Sequence, residues 1–238
     1  LYFEKMQNEG IPPNHGTFVG ILQACRSMKE GLLRGMSVHI QILENNLRVD
    51  LTIGSTLIDM YVKFGNLTKA RRIFDNSPFK NVVLFSVMLS GYLQHEEDLL
   101  AFQLFEKMEE FDIVPDIYVF TCVLKACGLA RSLVEAKWIH CSIIRANLEC
   151  DVAVGGSLID VYSKCGCLEE ARKVFDKLPQ KNEVAWGAML SGYNQHGQEC
   201  LALDLFQKML NDGEKNPDKV RLLCVLKACG RMGALFHG

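Results

Sequence analysis

Leu57-Ile58-Asp59-Met60-Tyr61 returns 101 residues later as Leu158-Ile159-Asp160-Val161-Tyr162. Ala70-Arg71-Arg72-Ile73-Phe74-Asp75 returns at the same offset as Ala171-Arg172-Lys173-Val174-Phe175-Asp176, and Met88-Leu89-Ser90-Gly91-Tyr92 as Met189-Leu190-Ser191-Gly192-Tyr193. One offset shared by three segments marks a duplication. Ala24-Cys25 recurs as Ala126-Cys127 and Ala228-Cys229 at an offset of 102. The extra residue falls between Met28 and Leu32 in the first interval and between Asn211 and Asn216 in the second. Both are connecting segments, where insertion is tolerated.

The 101-residue block subdivides. Each subunit opens on Asn or Asp, runs through an apolar stretch, meets a Gly-containing break and ends in a second amphipathic stretch. The openings are Asn14, Asp50, Asn81, Asp116, Asp151, Asn182 and Asp218, at intervals of 36, 31, 35, 35, 31 and 36 residues. In 151–181, Val154, Leu158, Ile159 and Tyr162 recur at helical spacing before Gly166. Leu168, Ala171, Val174, Phe175 and Leu178 form the second stripe. Pro78, Pro115, Pro179 and Pro217 follow the second stretches, where proline ends helices. Each unit suits a helical hairpin and is too short to bury its own core, so neighbours must stack. The spacing predicts six hairpins with half a hairpin at each end. The fold class is an all-α, right-handed α-solenoid of helix-turn-helix repeats whose first helices line a concave face. The whole of 1–238 is one array: a partial repeat at 1–13, units at 14–49, 50–80, 81–115, 116–150, 151–181 and 182–217, and a partial repeat at 218–238.

Composition excludes several classes. Hydrophobic residues are 49% of 238, too many for a disordered chain, and 6 Pro with 19 Gly exclude collagen-like sequence. No apolar run approaches the roughly 18 residues of a membrane helix, so no membrane partner is expected. Ten cysteines sit mostly in helix-like apolar runs and form no C-x2-C pair. Reduced cysteines used as small core residues are expected, with no metal and no cofactor. The net charge of −2 first argues against a nucleic-acid partner. The segments that hold first helices nevertheless sum to +2, and to +6 without Asp50, Asp116, Asp151 and Asp218. Residues 96–112 carry seven acids and one Lys, on a second helix expected to face outward. Chain-averaged charge is the wrong statistic for a stacked array.

These lengths and motifs resemble pentatricopeptide repeat proteins, specifically the land-plant subclass that alternates 35-residue, long and 31-residue motifs. The 31-residue motif is similar to Asp151-Val152-Ala153-Val154-Gly155-Gly156-Ser157-Leu158-Ile159-Asp160-Val161-Tyr162-Ser163-Lys164-Cys165-Gly166. The 35-residue motif matches Met88-Leu89-Ser90-Gly91-Tyr92 with Leu104-Phe105-Glu106-Lys107-Met108. The long motif matches Val123-Leu124-Lys125-Ala126-Cys127 with Ile139-His140. A tetratricopeptide array would show a Trp-Leu-Gly-Tyr pattern, which is missing. The resemblance implies single-stranded RNA binding in a mitochondrion or chloroplast, for transcript editing or processing, with editing-complex proteins as further partners.

The resemblance also assigns residues. Each hairpin takes one nucleotide, read by the fifth residue of its first-helix region and the residue just before the next unit. The pairs are Val19/Asp50, Ser55/Asn81, Ser86/Asp116, Thr121/Asp151, Gly156/Asn182 and Gly187/Asp218. An ionised Asp only accepts hydrogen bonds, which suits guanine or uracil; Asn also donates, which suits adenine or cytosine. A small hydroxyl at the fifth position goes with a purine. Ser55/Asn81 therefore predicts adenine, and Ser86/Asp116 and Thr121/Asp151 predict guanine, with RNA running 5′ to 3′ along the chain. Val19, Gly156 and Gly187 depart from the pattern. The second position of each unit sandwiches the base; Val83, Tyr118 and Val184 suit that role, and Gly16, Thr52 and Ala153 suit it less. Lys63 and Lys164 are the phosphate candidates. Asp and Asn before a helix are equally common as caps, and Lys63 and Lys164 equally suit a helix C-terminus.

A catalytic role has little support. His95-Glu96-Glu97 matches the H-x-E of zinc deaminases, but P-C-x-x-C is absent and the duplicate reads His196-Gly197-Gln198. His39 and His140 hold equivalent positions, which points to one structural role. No phosphate-binding glycine loop or nucleophile elbow occurs. No enzyme activity is expected, and any deaminase-like domain would lie outside this chain. The rival reading is a helical scaffold that binds proteins. The half-hairpins at Leu1 and Gly238 are expected to promote self-association.

Overall fold

The Asn and Asp unit openings are helix N-caps. Asn14, Asp50, Asn81, Asp116, Asp151 and Asn182 take extended backbone angles, and each side-chain oxygen accepts the amide three residues on. That satisfies a backbone donor which the first turn would otherwise leave unpaired. The structure, a computed structural model, describes every residue except Leu1, Asn46, Arg48, 213–218, Met232 and 234–238. Asp218 and Pro217 thus lie outside the described residues.

The described residues form fourteen helices and no strand. Six hairpins are complete. They pair α2 (His15–Ser27) with α3 (Gly31–Glu44), α4 (Leu51–Lys63) with α5 (Leu67–Asn76), and α6 (Val82–Gln94) with α7 (Asp98–Glu110). The remaining three pair α8 (Ile117–Ala130) with α9 (Leu133–Arg145), α10 (Val152–Lys164) with α11 (Leu168–Lys177), and α12 (Glu183–Gln195) with α13 (Glu199–Asn211). Single helices α1 (Tyr2–Asn8) and α14 (Lys219–Arg231) flank them. The fold is the expected all-α array of stacked hairpins.

The turns correct one expectation. Gly65, Gly166 and Gly197 take the left-handed position between helices, with φ of 72°, 79° and 68°. In the 81–115 and 116–150 hairpins that place belongs to Glu96 and Arg131, at φ of 59° and 50°. A glycine is therefore not required at every break, because a single residue in that region costs only about 1–2 kcal/mol.

The chain divides into two compact units, Leu1–Val114 and Pro115–Gly238. In the first, α2, α4 and α6 pack side by side. Phe74 of α5 meets Phe85 of α6 edge-on, with ring centres 4.9 Å apart. In the second, α8, α10, α12 and α14 pack in the same manner. The duplicated pair Phe175 and Trp186 meets edge-on at 4.8 Å. Both pairs are buried, and each locks one hairpin to the next beyond its area term.

The histidines are structural. Tyr61 Oη lies 3.0 Å from His39 Nδ1, and Tyr162 Oη lies 2.8 Å from His140 Nδ1. Burial pushes the Tyr162 phenol up to about 12 and raises Tyr61 as well. Burial also lowers both imidazoles. Each hydrogen bond thus joins two groups that burial disfavours in their charged forms. His95 Nε2 lies 2.8 Å from the Val62 carbonyl, and His196 Nε2 lies 2.7 Å from that of Ser163. Each ties a hairpin turn to a carbonyl near the end of the preceding first helix.

The cysteines follow the core reading only in part. All ten are free thiols. Cys25, Cys122, Cys127, Cys224 and Cys229 are buried, whereas Cys141, Cys150 and Cys200 are exposed. No helix among the described residues is long and apolar enough to cross a membrane.

Candidate nucleic-acid interface

Capping decides which atom each candidate reader presents. Asp116 Oδ1 accepts from Val119 N at 2.9 Å, and Asp151 Oδ1 from Ala153 N and Val154 N at 2.9 and 3.0 Å. In neither residue does the other carboxylate oxygen accept a hydrogen bond among the described residues. Asn81 Oδ1 accepts from Leu84 N at 3.1 Å and Asn182 Oδ1 from Ala185 N at 2.9 Å. With that oxygen committed, an Asn presents its NH2, a donor. Cap and reader are therefore compatible roles. The cap holds the side chain; an ionised Asp then offers only acceptors, whereas an Asn also offers the two N–H donors of its NH2.

Asp50 is different. Its Oδ1 accepts from Ile53 N at 2.9 Å, and its Oδ2 is met by His15 Nε2 at 2.9 Å. Both oxygens are taken. The Ile53 amide foremost, with His15 adding, holds this carboxyl below the usual range against partial burial.

The fifth positions divide into two kinds. Ser55 Oγ donates to Thr52 O at 3.1 Å, Ser86 Oγ to Val82 O at 2.7 Å and Thr121 Oγ1 to Tyr118 O at 2.9 Å. Each proton is held by its own helix, leaving oxygen lone pairs outward. Val19 is half-buried and Gly156 is buried. A Cβ at Gly156 would lie 3.2 Å from Val184 Cγ1, while one at Gly187 would meet nothing within 4 Å. The sandwich candidates are large apolar groups left in solvent: Val83 is 45% exposed, Tyr118 49% and Val184 60%.

In the first unit these parts converge. A polar recess of about 770 Å³ is lined by Ser55, Lys63 and Val83 together with Gln23, Arg26 and Asp59. Three residues predicted from two successive units thus share one surface. The other fifth-position and sandwich candidates and Lys164 lie within their own first helices, and the Asn and Asp candidates cap those helices, apart from Asp218, which lies outside the described residues.

The PPR repeat family model matches residues 80–128, and the PPR repeat model matches 55–77, 156–183 and 184–214. The chain belongs to the pentatricopeptide repeat family. It is 36% identical over 234 residues to a pentatricopeptide repeat-containing protein of Arabidopsis thaliana, covering 98% of this chain and 34% of that protein. A relative of the same organism named as mitochondrial is 35% identical and covers 99% of this chain. Another, named as chloroplastic, is 32% identical and covers 100%. These two alignments take in 23% and 28% of those proteins, so the chain spans only about a quarter to a third of these relatives' length. Among solved structures it resembles pentatricopeptide repeat protein PPR10 in complex with an 18-nt psaJ RNA element. The TM-score is 0.77, with 19% identity over 97% of this chain and 34% of that one.

Within this pentatricopeptide array the two lysine candidates are not equivalent. Asp59 and Asp160 are duplicates, but Arg26 Nη1 lies 3.1 Å from Asp59 Oδ2, which leaves Lys63 exposed and without an acidic partner among the described residues. In the second copy the residue matching Arg26 is Gly128. Asp160 therefore takes Lys164, at 2.7 Å, and Lys164 lies over Gly128. Repeat logic missed Arg26 because its counterparts are Gly128 and Gly230. The one available signal was its place one residue after Cys25, on the same first-helix surface as Gln23.

Proposed function

We propose that this chain binds single-stranded RNA sequence-selectively, with about one nucleotide per hairpin, as part of a pentatricopeptide array of alternating 35-residue, long and 31-residue motifs. The observation that supports the reading is the capping geometry, which occupies one oxygen of each side chain and leaves Asp116 and Asp151 a further acceptor and Asn81 and Asn182 an NH2 donor. PPR10, which shares the fold, has been solved in complex with an RNA element. Asp116 suits the N–H edge of guanine and, with Ser86, reads guanine. Asn81 suits the ring acceptor of adenine and, with Ser55, reads adenine. Thr121/Asp151 reads guanine more weakly. Val19/Asp50, Gly156/Asn182 and Gly187/Asp218 contribute less, because their fifth positions lack a hydroxyl. Val83, Tyr118 and Val184 contact base faces, and Lys63 meets phosphate.

The chain places another activity on a transcript, in organellar editing or processing. Mitochondrion and chloroplast both suit, since relatives carry each name. The test separates cap from reader. Asp116→Asn keeps the cap and exchanges acceptor for donor. It should leave thermal stability nearly unchanged while moving the preferred base from guanine to adenine. Asp116→Ala should lose about 1 kcal/mol of stability with the cap and lose discrimination altogether. Competition binding with RNAs varied at that nucleotide reads both, and an unchanged preference in Asp116→Asn overturns the assignment.

A further inference from the structure

The second helices of the first unit hold a cleft that the RNA-facing residues do not touch. It is half open, about 400 Å³, and lies between α3 and α5. Its wall is apolar: Met36, Ile40, Leu43, Val49 and Ile73 line it. Ile40 and Leu43 are 54% and 56% exposed, so they stand uncovered. Polar groups gather at one side. The Tyr61–His39 hydrogen bond lies there, with Lys69 Nζ 5.6 Å from the centre of the Tyr61 ring and Arg72 at the rim. Among the described residues, neither Lys69 nor Arg72 has a carboxylate partner.

The duplicate hairpins serve as an internal control. His140 and Tyr162 repeat the hydrogen bond, but the rest has diverged. Ser77, in the cleft wall, corresponds to Leu178, which is 1% exposed. A Cβ at Gly155 would come within 2.5 Å of Leu178 Cδ2, whereas the equivalent Gly54 meets only Val49 Cγ1 at 3.7 Å. Leu178 thus fills space that Ser77 leaves open. Lys69 corresponds to Glu170, whose Oε1 lies 3.8 Å from Lys173 Nζ, the counterpart of Arg72. The duplicate carries buried Leu178 and a Glu170–Lys173 ion pair where this copy carries Ser77, Lys69 and Arg72, and no acid lines this cleft.

We propose that this cleft binds a small amphipathic anion, an aliphatic or aromatic body carrying one carboxylate. The apolar walls take the body and Lys69 with Arg72 takes the charge. Burial beside Lys69 keeps His39 neutral, so its ring adds a surface rather than a competing charge. The volume suits a ligand of this size, since small-molecule pockets run from roughly 300 to 1,000 Å³ with few, convergent polar groups.

Fluorescence titration of the whole chain with 8-anilinonaphthalene-1-sulfonate, displaced by decanoate or by decanol, tests this. Decanoate should displace the probe and decanol should need about tenfold more. Ser77→Leu, which copies the duplicate, should abolish probe binding. Lys69→Glu should weaken it about tenfold or more without filling the cleft. RNA affinity should be unchanged in both variants. Equal probe binding by wild type and both variants, or equal displacement by decanol, overturns the assignment. So does displacement by acidic peptides but not by decanoate, which would make the cleft a protein-docking site.

Discussion

His15 Nε2 lies 2.9 Å from Asp50 Oδ2 and closes the one carboxylate oxygen that the Ile53 amide leaves free. Asn81, Asp116, Asp151 and Asn182 each keep a polar side-chain atom that bonds no described residue. His15 opens its hairpin, where α4, α6, α8 and α10 open on the apolar Leu51, Val82, Ile117 and Val152. The candidate reader of the first complete hairpin is therefore engaged by its own chain. His15→Ala should release that oxygen and raise discrimination for guanine or uracil at this nucleotide by about 1 kcal/mol, the scale of one hydrogen bond. Competition binding with RNAs varied at that position should show the gain, and equal selectivity in the two proteins would remove His15 from the reading.

The Asp50 carboxyl also sets a pH dependence. Its folded pKa lies below its unfolded value of about 3.9. Its ionised form thus contributes stability that is fully present above that unfolded value and is lost as pH falls through the folded one. Asp50→Asn keeps an N-cap but no charge. The melting-temperature difference between wild type and Asp50→Asn should be constant from pH 6 to about 5 and shrink below about 4. The side chain is 44% exposed, so salt should reduce the difference.

Lys63 and Lys164 separate by their acids. Lys63→Ala should lower RNA affinity and reduce the slope of log affinity against log salt by about 0.7, the value for one phosphate on a single strand. Lys164→Ala should change that slope less, because Asp160 already holds the ammonium at 2.7 Å. Adding Arg26→Gly should free Asp59 to take Lys63, and it should bring the first copy's salt response to that of the second. Filter binding over a salt series measures all three.

Two glycines on first helices should respond with opposite signs. A Cβ at Gly91 would come within 2.5 Å of Val62 Cγ2, a branched side chain on the neighbouring α4. Gly91→Ala should destabilise by about 1–3 kcal/mol through overpacking. Gly187 meets nothing within 4 Å inside α12, so Gly187→Ala should stabilise by about 0.5–1 kcal/mol through helix propensity. Urea unfolding of the two variants gives both signs.

Repetition at one offset and the 3.6-residue stripes determined the hairpins, their order and the boundary residues, because a short amphipathic unit with a capped start has few ways to bury its apolar face. The sequence by itself also placed Asp and Asn at the helix starts. It could not choose between cap and reader, since both need the same residue at the same place. Tertiary structure decided which side-chain atom each cap uses, and so which atom is left without a backbone partner. It also decided pairings that no repeat predicts. Arg26 draws Asp59 away from Lys63, His15 closes Asp50, and Ser77 leaves open a space that Leu178 fills in the duplicate. Those depend on residues that differ between the copies and meet only when neighbouring helices pack, which periodicity along one chain does not encode.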